Sequence, residues 1–71
     1  MVMTFGEWLV QFSEEDSVLG DLASDFRLDC RLQEIEPSTF VTAEQLRQRM
    51  ELQGACSESL EALEEAAVLY G

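Results

Sequence analysis

Residues 4–29, TFGEWLVQFSEEDSVLGDLASDFRLD, constrain the fold more than any other stretch. Large apolar side chains recur there at helical spacing, on both sides of an acidic turn. Phe5, Trp8, Leu9 and Phe12 stand at i, i+3, i+4 and i+7, which places them on one helical face. Thr4 precedes them as an N-cap, and Glu7 three residues on completes a capping box. The spacing predicts a first helix over 4–12, with Trp8 as a core anchor. Ser13-Glu14-Glu15-Asp16-Ser17 breaks the pattern, and either Asp16 or Ser17 can cap the next helix. That second helix is expected over 17–31. Leu19, Leu22, Ala23, Phe26 and Cys30 fall within about one third of its circumference. Gly20 in its first turn lowers helix propensity, which a close approach by another helix would explain.

The remainder adds two helices and one irregular segment. Pro37 argues against a helix through residues 32–41, where Leu32, Ile35 and Phe40 are expected to tuck under the bundle. No alternating run there is long enough for a strand. Thr42 and Gln45 form a second capping box, opening a helix over 43–53 that turns Ala43, Leu46 and Met50 one way. Arg47 can pair with Glu44 and Glu51, and Gly54 is placed to close the helix. Ser57 is expected to cap a last helix over 58–70, with Leu60, Leu63, Ala66, Ala67 and Tyr70 on its buried side. Ala62 and Leu69 widen that apolar arc beyond what a small bundle must bury. The fold class expected is all-α, a bundle of four or five helices in one domain.

A chain of 71 residues is close to the lower limit for a self-sufficient core. Burial is worth roughly 105 kcal/mol at ~25 cal/mol per Å² of apolar surface, and ordering the chain costs about the same. The charge is lopsided. Residues 1–26 hold six acids and no base, residues 27–49 hold four of each, and residues 50–71 hold five acids and no base. The net charge is −11, with neither Lys nor His. Nucleic-acid binding is not expected, because Lys and Arg supply that affinity. No apolar run approaches membrane-spanning length, and Met1-Val2-Met3 leads into a helix start without a basic or apolar leader. A cytoplasmic protein with buried, reduced Cys30 and Cys56 is expected; a disulfide would need their Cα atoms brought together.

At this level a resemblance becomes visible. TFGEWLVQF, an acidic turn and LGDLASDFRLD are similar to the start of the YozE-type family of small bacterial proteins, whose fold is like a sterile alpha motif (SAM). The tail, MELQGACSESLEALEEAAVLYG, resembles that family's third-helix end, Gly turn and closing helix, with Ala66, Ala67 and Tyr70 at the closing positions. The chain departs from the family at Leu32-Gln33, where Phe-Pro is usual, and at Ala67, where an aromatic is usual. The resemblance implies a compact SAM-like bundle. It implies no enzyme activity and no cofactor, and it carries over no functional residues.

The residues themselves argue against catalysis. The commonest general base, His, is absent, and neither Cys has an evident base beside it. Glu14-Glu15-Asp16 and Asp21 lack the spaced ligands and loop Gly of an EF-hand, so no metal site is expected. A protein-interaction module is the favoured reading. Its candidate acidic face comprises Asp21, Asp25 and Asp29 at i, i+4 and i+8, together with Glu58, Glu61 and Glu65. Arg27 and Arg31 form a candidate basic flank. The partner expected is a protein with a basic surface. Weak head-to-tail self-association, screened above about 0.3 M salt, is a variant of this reading. The rival reading is a phage-type decoy whose carboxylates imitate nucleic acid and block a basic partner.

Overall fold

A computed structural model describes residues 3–71. Thr4 caps the first helix, α1 (Phe5–Val10), in a complete capping box: the Glu7 N–H donates to Thr4 Oγ1 at 3.3 Å, and the Thr4 N–H to Glu7 Oε1 at 3.1 Å. Six residues cannot sustain a helix alone in water. Tertiary bonds complete the job. The Phe5 N–H donates to the Val41 carbonyl at 3.1 Å, and the Gly6 N–H to the Phe40 carbonyl at 2.9 Å. Two of the donors that any helix start leaves orphaned are thus satisfied by the carbonyls of residues 40 and 41. That close approach requires Gly6, since a Cβ there would lie 1.9 Å from the Pro37 carbonyl oxygen. The helix expected to reach Phe12 stops at Val10 and continues as turns, with Phe12 N–H bonded to the Leu9 carbonyl and Ser13 N–H to that of Val10.

Ser17 is the residue that caps α2 (Val18–Gln33), its Oγ accepting from the Gly20 N–H at 3.0 Å. Leu22, Ala23, Phe26 and Cys30 are buried and Leu19 partly so, the face that periodicity predicts. Gly20 lies against the preceding turn, not a neighbouring helix. A Cβ there would stand 1.8 Å from the Glu15 carbonyl oxygen. The helix also runs past residue 31 to Gln33. It ends on Glu34 in the left-handed region (φ 56°), where the Ile35 N–H reaches back to the Cys30 carbonyl at 2.9 Å. Because the helix continues, Leu32 stays on its outer flank and is 70% exposed instead of tucked in.

Pro37–Thr39 forms one 3-10 turn with Pro37 at its first position, where a missing N–H costs nothing. It delivers Phe40 into the core, edge-on to Phe26 at 5.3 Å between ring centroids. Thr42 and Gln45 cap α3 (Ala43–Leu52) reciprocally. Gly54, at φ 76°, closes it, with the Ala55 N–H donating to the Met50 carbonyl at 2.9 Å. The last helix, α4 (Ser57–Tyr70), is capped by Cys56 and not by Ser57, which is already helical. Leu63 and Ala66 are buried as expected. Ala62 joins them, so it is core and not surplus, whereas Leu69 is exposed.

One core results, an all-α small bundle with no strand among the described residues. Phe5 and Leu9 of α1 are fully buried at its centre. Phe5 packs edge-on to Tyr70 of α4 at 5.5 Å and lies 5.7 Å from Trp8, whose ring is 4.9 Å from Phe12. The Tyr70 hydroxyl donates to the Met3 carbonyl and ties the end of α4 to the start of the chain. Trp8 is half-buried at the edge of this aromatic group.

A candidate partner-binding groove between α2 and α4

Asp21 and Asp25 project from α2 beside its buried face, and both are exposed. Across from them α4 presents Glu58 and Ser59. Val18 and Asp21 share one end of the depression with Glu58 and Ala62. Asp29 shares the other end with Gln53 and Ala55. Beneath lie Leu22 and Phe26 of α2, Leu46 of α3 and Ala62 of α4, core side chains that are themselves buried, with Met50 of α3 partly exposed. Two adjoining depressions lie here, about 180 Å³ toward α3 and about 200 Å³ toward the start of α2. Every charged side chain lining the groove is acidic.

The candidate acidic residues separate into three groups. Asp21, Asp25 and Glu58 form the rim, with no cation within salt-bridge distance among the described residues. Asp29 leaves the row. It accepts from Arg49 Nε at 3.0 Å and from Gln53 Nε2 at 3.4 Å, in a half-buried pair that ties α2 to the end of α3. Glu61 and Glu65 are exposed on α4 outside the groove lining.

The basic flank is also less simple than its sequence. Arg27 and Arg31 border a separate open depression that contains Glu34 and Glu36 as well. Arg27 Nη1 donates to Ser13 Oγ at 3.3 Å. Arg47 pairs across to Glu64 of α4 at 3.6 Å, and not with Glu44 or Glu51 along its own helix. Both partners are well exposed, so that contact contributes at most a few tenths of a kcal/mol.

The cysteines differ from expectation as well. Both are free, and Cys30 is buried, but Cys56 is exposed at the groove wall. Its Sγ lies 3.3 Å from Ser59 Oγ. That hydrogen bond holds the Cys56 thiol below its ordinary pKa, whereas burial, aided by the Asp29 charge, pushes the Cys30 thiol up from 9.0. A raised thiol pKa in the folded state stabilises the fold fully below the unfolded value. The contribution changes as pH rises from about 9, because the unfolded chain then releases the proton first and stability falls. Cys56 is the exposed thiol of the two and the one open to a reagent in solution. The Cys56-x-x-Ser59 spacing, that of an N-cap and the third helical residue, is the sequence signal for this pair.

Among the described residues no three His, Cys, Asp or Glu side chains gather in a way that could hold a metal ion. No helix among them is long and apolar enough to cross a membrane. Comparison with protein-family models, with curated proteins and with solved structures finds no match.

Proposed function

We propose that the chain is a non-enzymatic, cytoplasmic interaction module that binds a protein with a basic surface through the groove between α2 and α4. One observation carries this reading: Asp21, Asp25 and Glu58 line one depression, with no cation within salt-bridge distance of them among the described residues. Val18, 64% exposed, is the open apolar side chain beside them. Around a docking site such acids orient a cationic partner and speed its arrival. The chain's −11 charge, held within a radius of gyration of 10.9 Å, extends the same attraction outward.

The YozE-type, SAM-like resemblance belongs to this proposal. The capped α1 with Phe5 and Trp8, the Gly20-Asp21-Leu22-Ala23 run and Ala66 and Tyr70 near the end support it, while Ala67 stands where that family has an aromatic. The decoy reading has less support, because Asp29 is occupied by Arg49 and cannot extend a phosphate-like row.

The test is capture of the partner from cells that encode the chain, at low salt and at about 0.3 M salt, where screening is strong. The parent chain is expected to retain a partner at low salt and lose most of it at high salt. The variant Asp21→Asn/Asp25→Asn/Glu58→Gln should lose it at both. Equal retention by parent and variant would remove the basis for this function.

A further inference from the structure

The charge segregation of the sequence persists in space. The two base-free segments, 1–26 and 50–71, hold six and five of the fifteen carboxylates, and all four arginines lie between them. The fold brings those two segments together, because α4 packs against both α1 and α2. The Trp8 and Tyr70 rings stand 5.4 Å apart, and Asp21 and Asp25 share a depression with Glu58. Among the described residues, only Asp29 and Glu64 lie within salt-bridge distance of an arginine. We infer that ionic strength governs the stability of this fold: dissolved counter-ions that screen the carboxylates are part of what keeps the bundle folded, and dilution of the salt loosens it. The inference stands apart from the interaction reading and needs no partner.

Exposure decides that salt can reach the repulsion. Every carboxylate except that of Asp29 belongs to an exposed residue. Their fields therefore run through solvent, where mobile ions screen them. Compactness decides which state the repulsion penalises. The charge of −11 is confined to a radius of gyration of 10.9 Å, whereas an unfolded chain of this length has one of about 26 Å. Coulomb energy falls with distance, so the folded state carries the larger share.

Dimensions decide the range of salt over which the effect appears. The Debye length is about 30 Å at 0.01 M, close to the 33 Å longest extent of the molecule, so nearly every carboxylate senses every other. At 1 M it is about 3 Å, less than the ~5.4 Å rise of the helical turn that separates Asp21 from Asp25. Salt also weakens attractions, but few are there to lose. Arg47 and Glu64 are exposed, and such a pair is weak at any salt. Arg49 and Asp29 meet at 3.0 Å and are half-buried, which shields them from screening. Asp21 and Glu58 each gain from one helix end only. Repulsion, in contrast, grows with the square of the net charge.

The experiment is urea denaturation of the intact chain, followed by circular dichroism, across about 0.01–1 M potassium chloride. Urea carries no charge, so it leaves the ionic strength fixed. The midpoint should rise by about 1 M urea or more over that range. The companion variant is Glu14→Gln/Glu15→Gln/Glu61→Gln/Glu65→Gln. The parent side chains there make no salt bridge among the described residues and lie outside the first turns of α2 and α4. Four fewer negative charges on a chain of −11 cut the square of the net charge to about two fifths. The variant's midpoint should therefore shift less than about half as far as the parent's. A parent midpoint that stays flat or falls with salt would overturn the inference. So would a shift in the variant as large as the parent's, which would assign the effect to salt acting on apolar burial. A shift that depends on protein concentration would overturn it too, by assigning the effect to copies that pair through exposed apolar side chains such as Leu52 and Val68.

Discussion

Gly20→Ala is expected to destabilise the fold by about 3 kcal/mol, a large share of the roughly 4–10 kcal/mol that a domain of this size has in total. The two local effects have opposite signs. Alanine is a better helix former than glycine by about 1 kcal/mol, so propensity alone predicts a more stable protein. Geometry predicts the reverse. A Cβ at residue 20 would lie 1.8 Å from the Glu15 carbonyl oxygen and 2.6 Å from its carbon. Those are backbone atoms in a turn whose own bonds are committed: the Glu15 N–H donates to the Phe12 carbonyl and the Ser17 N–H to that of Glu15. Ser17 must also stay in place to cap α2. The turn therefore cannot retreat without opening the start of α2, and the clash outweighs the propensity gain. Urea denaturation followed by circular dichroism measures the difference. A midpoint equal to or above that of the parent would show that the turn has room to move.

The second large effect is expected at Phe5. Phe5→Ala should cost about 3–5 kcal/mol, the range for removing a fully buried aromatic ring. Phe5 has no exposed surface and stands edge-on to Tyr70. Its loss would leave a void between α1 and α4 and weaken the seat of the Tyr70 hydroxyl bond to Met3. Helix α1 has only six residues and depends on that packing. Thermal unfolding should show a fall of many degrees, with loss of near-ultraviolet signal from Trp8, whose ring is 5.7 Å from Phe5. Leu52→Ala is the control, since that side chain is 90% exposed and should change stability by less than about 0.5 kcal/mol.

Most of the helical framework is legible in the residues, because the signals that start helices are local. Thr4 with Glu7 and Thr42 with Gln45 each announce a helix start, and both boxes are present. The face of α2 emerges from periodicity alone. Helix ends are less legible. Glu34 ends α2 in a left-handed conformation that its side chain gives no reason to expect, so Leu32 reads as core when helical continuation keeps it outside. Gly20 signals a close approach correctly, but the residue type does not say what approaches. The least legible feature is pairing between elements. Asp29 and Arg49 are 20 residues apart, and they meet only because α3 packs with its end beside α2. That contact divides the acidic row of the sequence into a structural residue and an open rim.

The central claim is that Asp21, Asp25 and Glu58 stand open to a partner. They make no salt bridge among the described residues, although Asp21 and Glu58 lie in the first turns of α2 and α4, where the helix dipole favours a carboxylate. The most direct measurement is the urea midpoint of Asp21→Asn/Asp25→Asn/Glu58→Gln beside that of the parent, in low salt. Neutralisation relieves repulsion in a chain of net charge −11 but removes the dipole interactions of Asp21 and Glu58, about 0.3–1 kcal/mol each, so any net fall in stability should stay below about 1 kcal/mol. A fall of more than about 2 kcal/mol, beyond what the two dipole interactions supply, would mean that these side chains support the fold through contacts of their own, and the proposed binding rim would lose its basis.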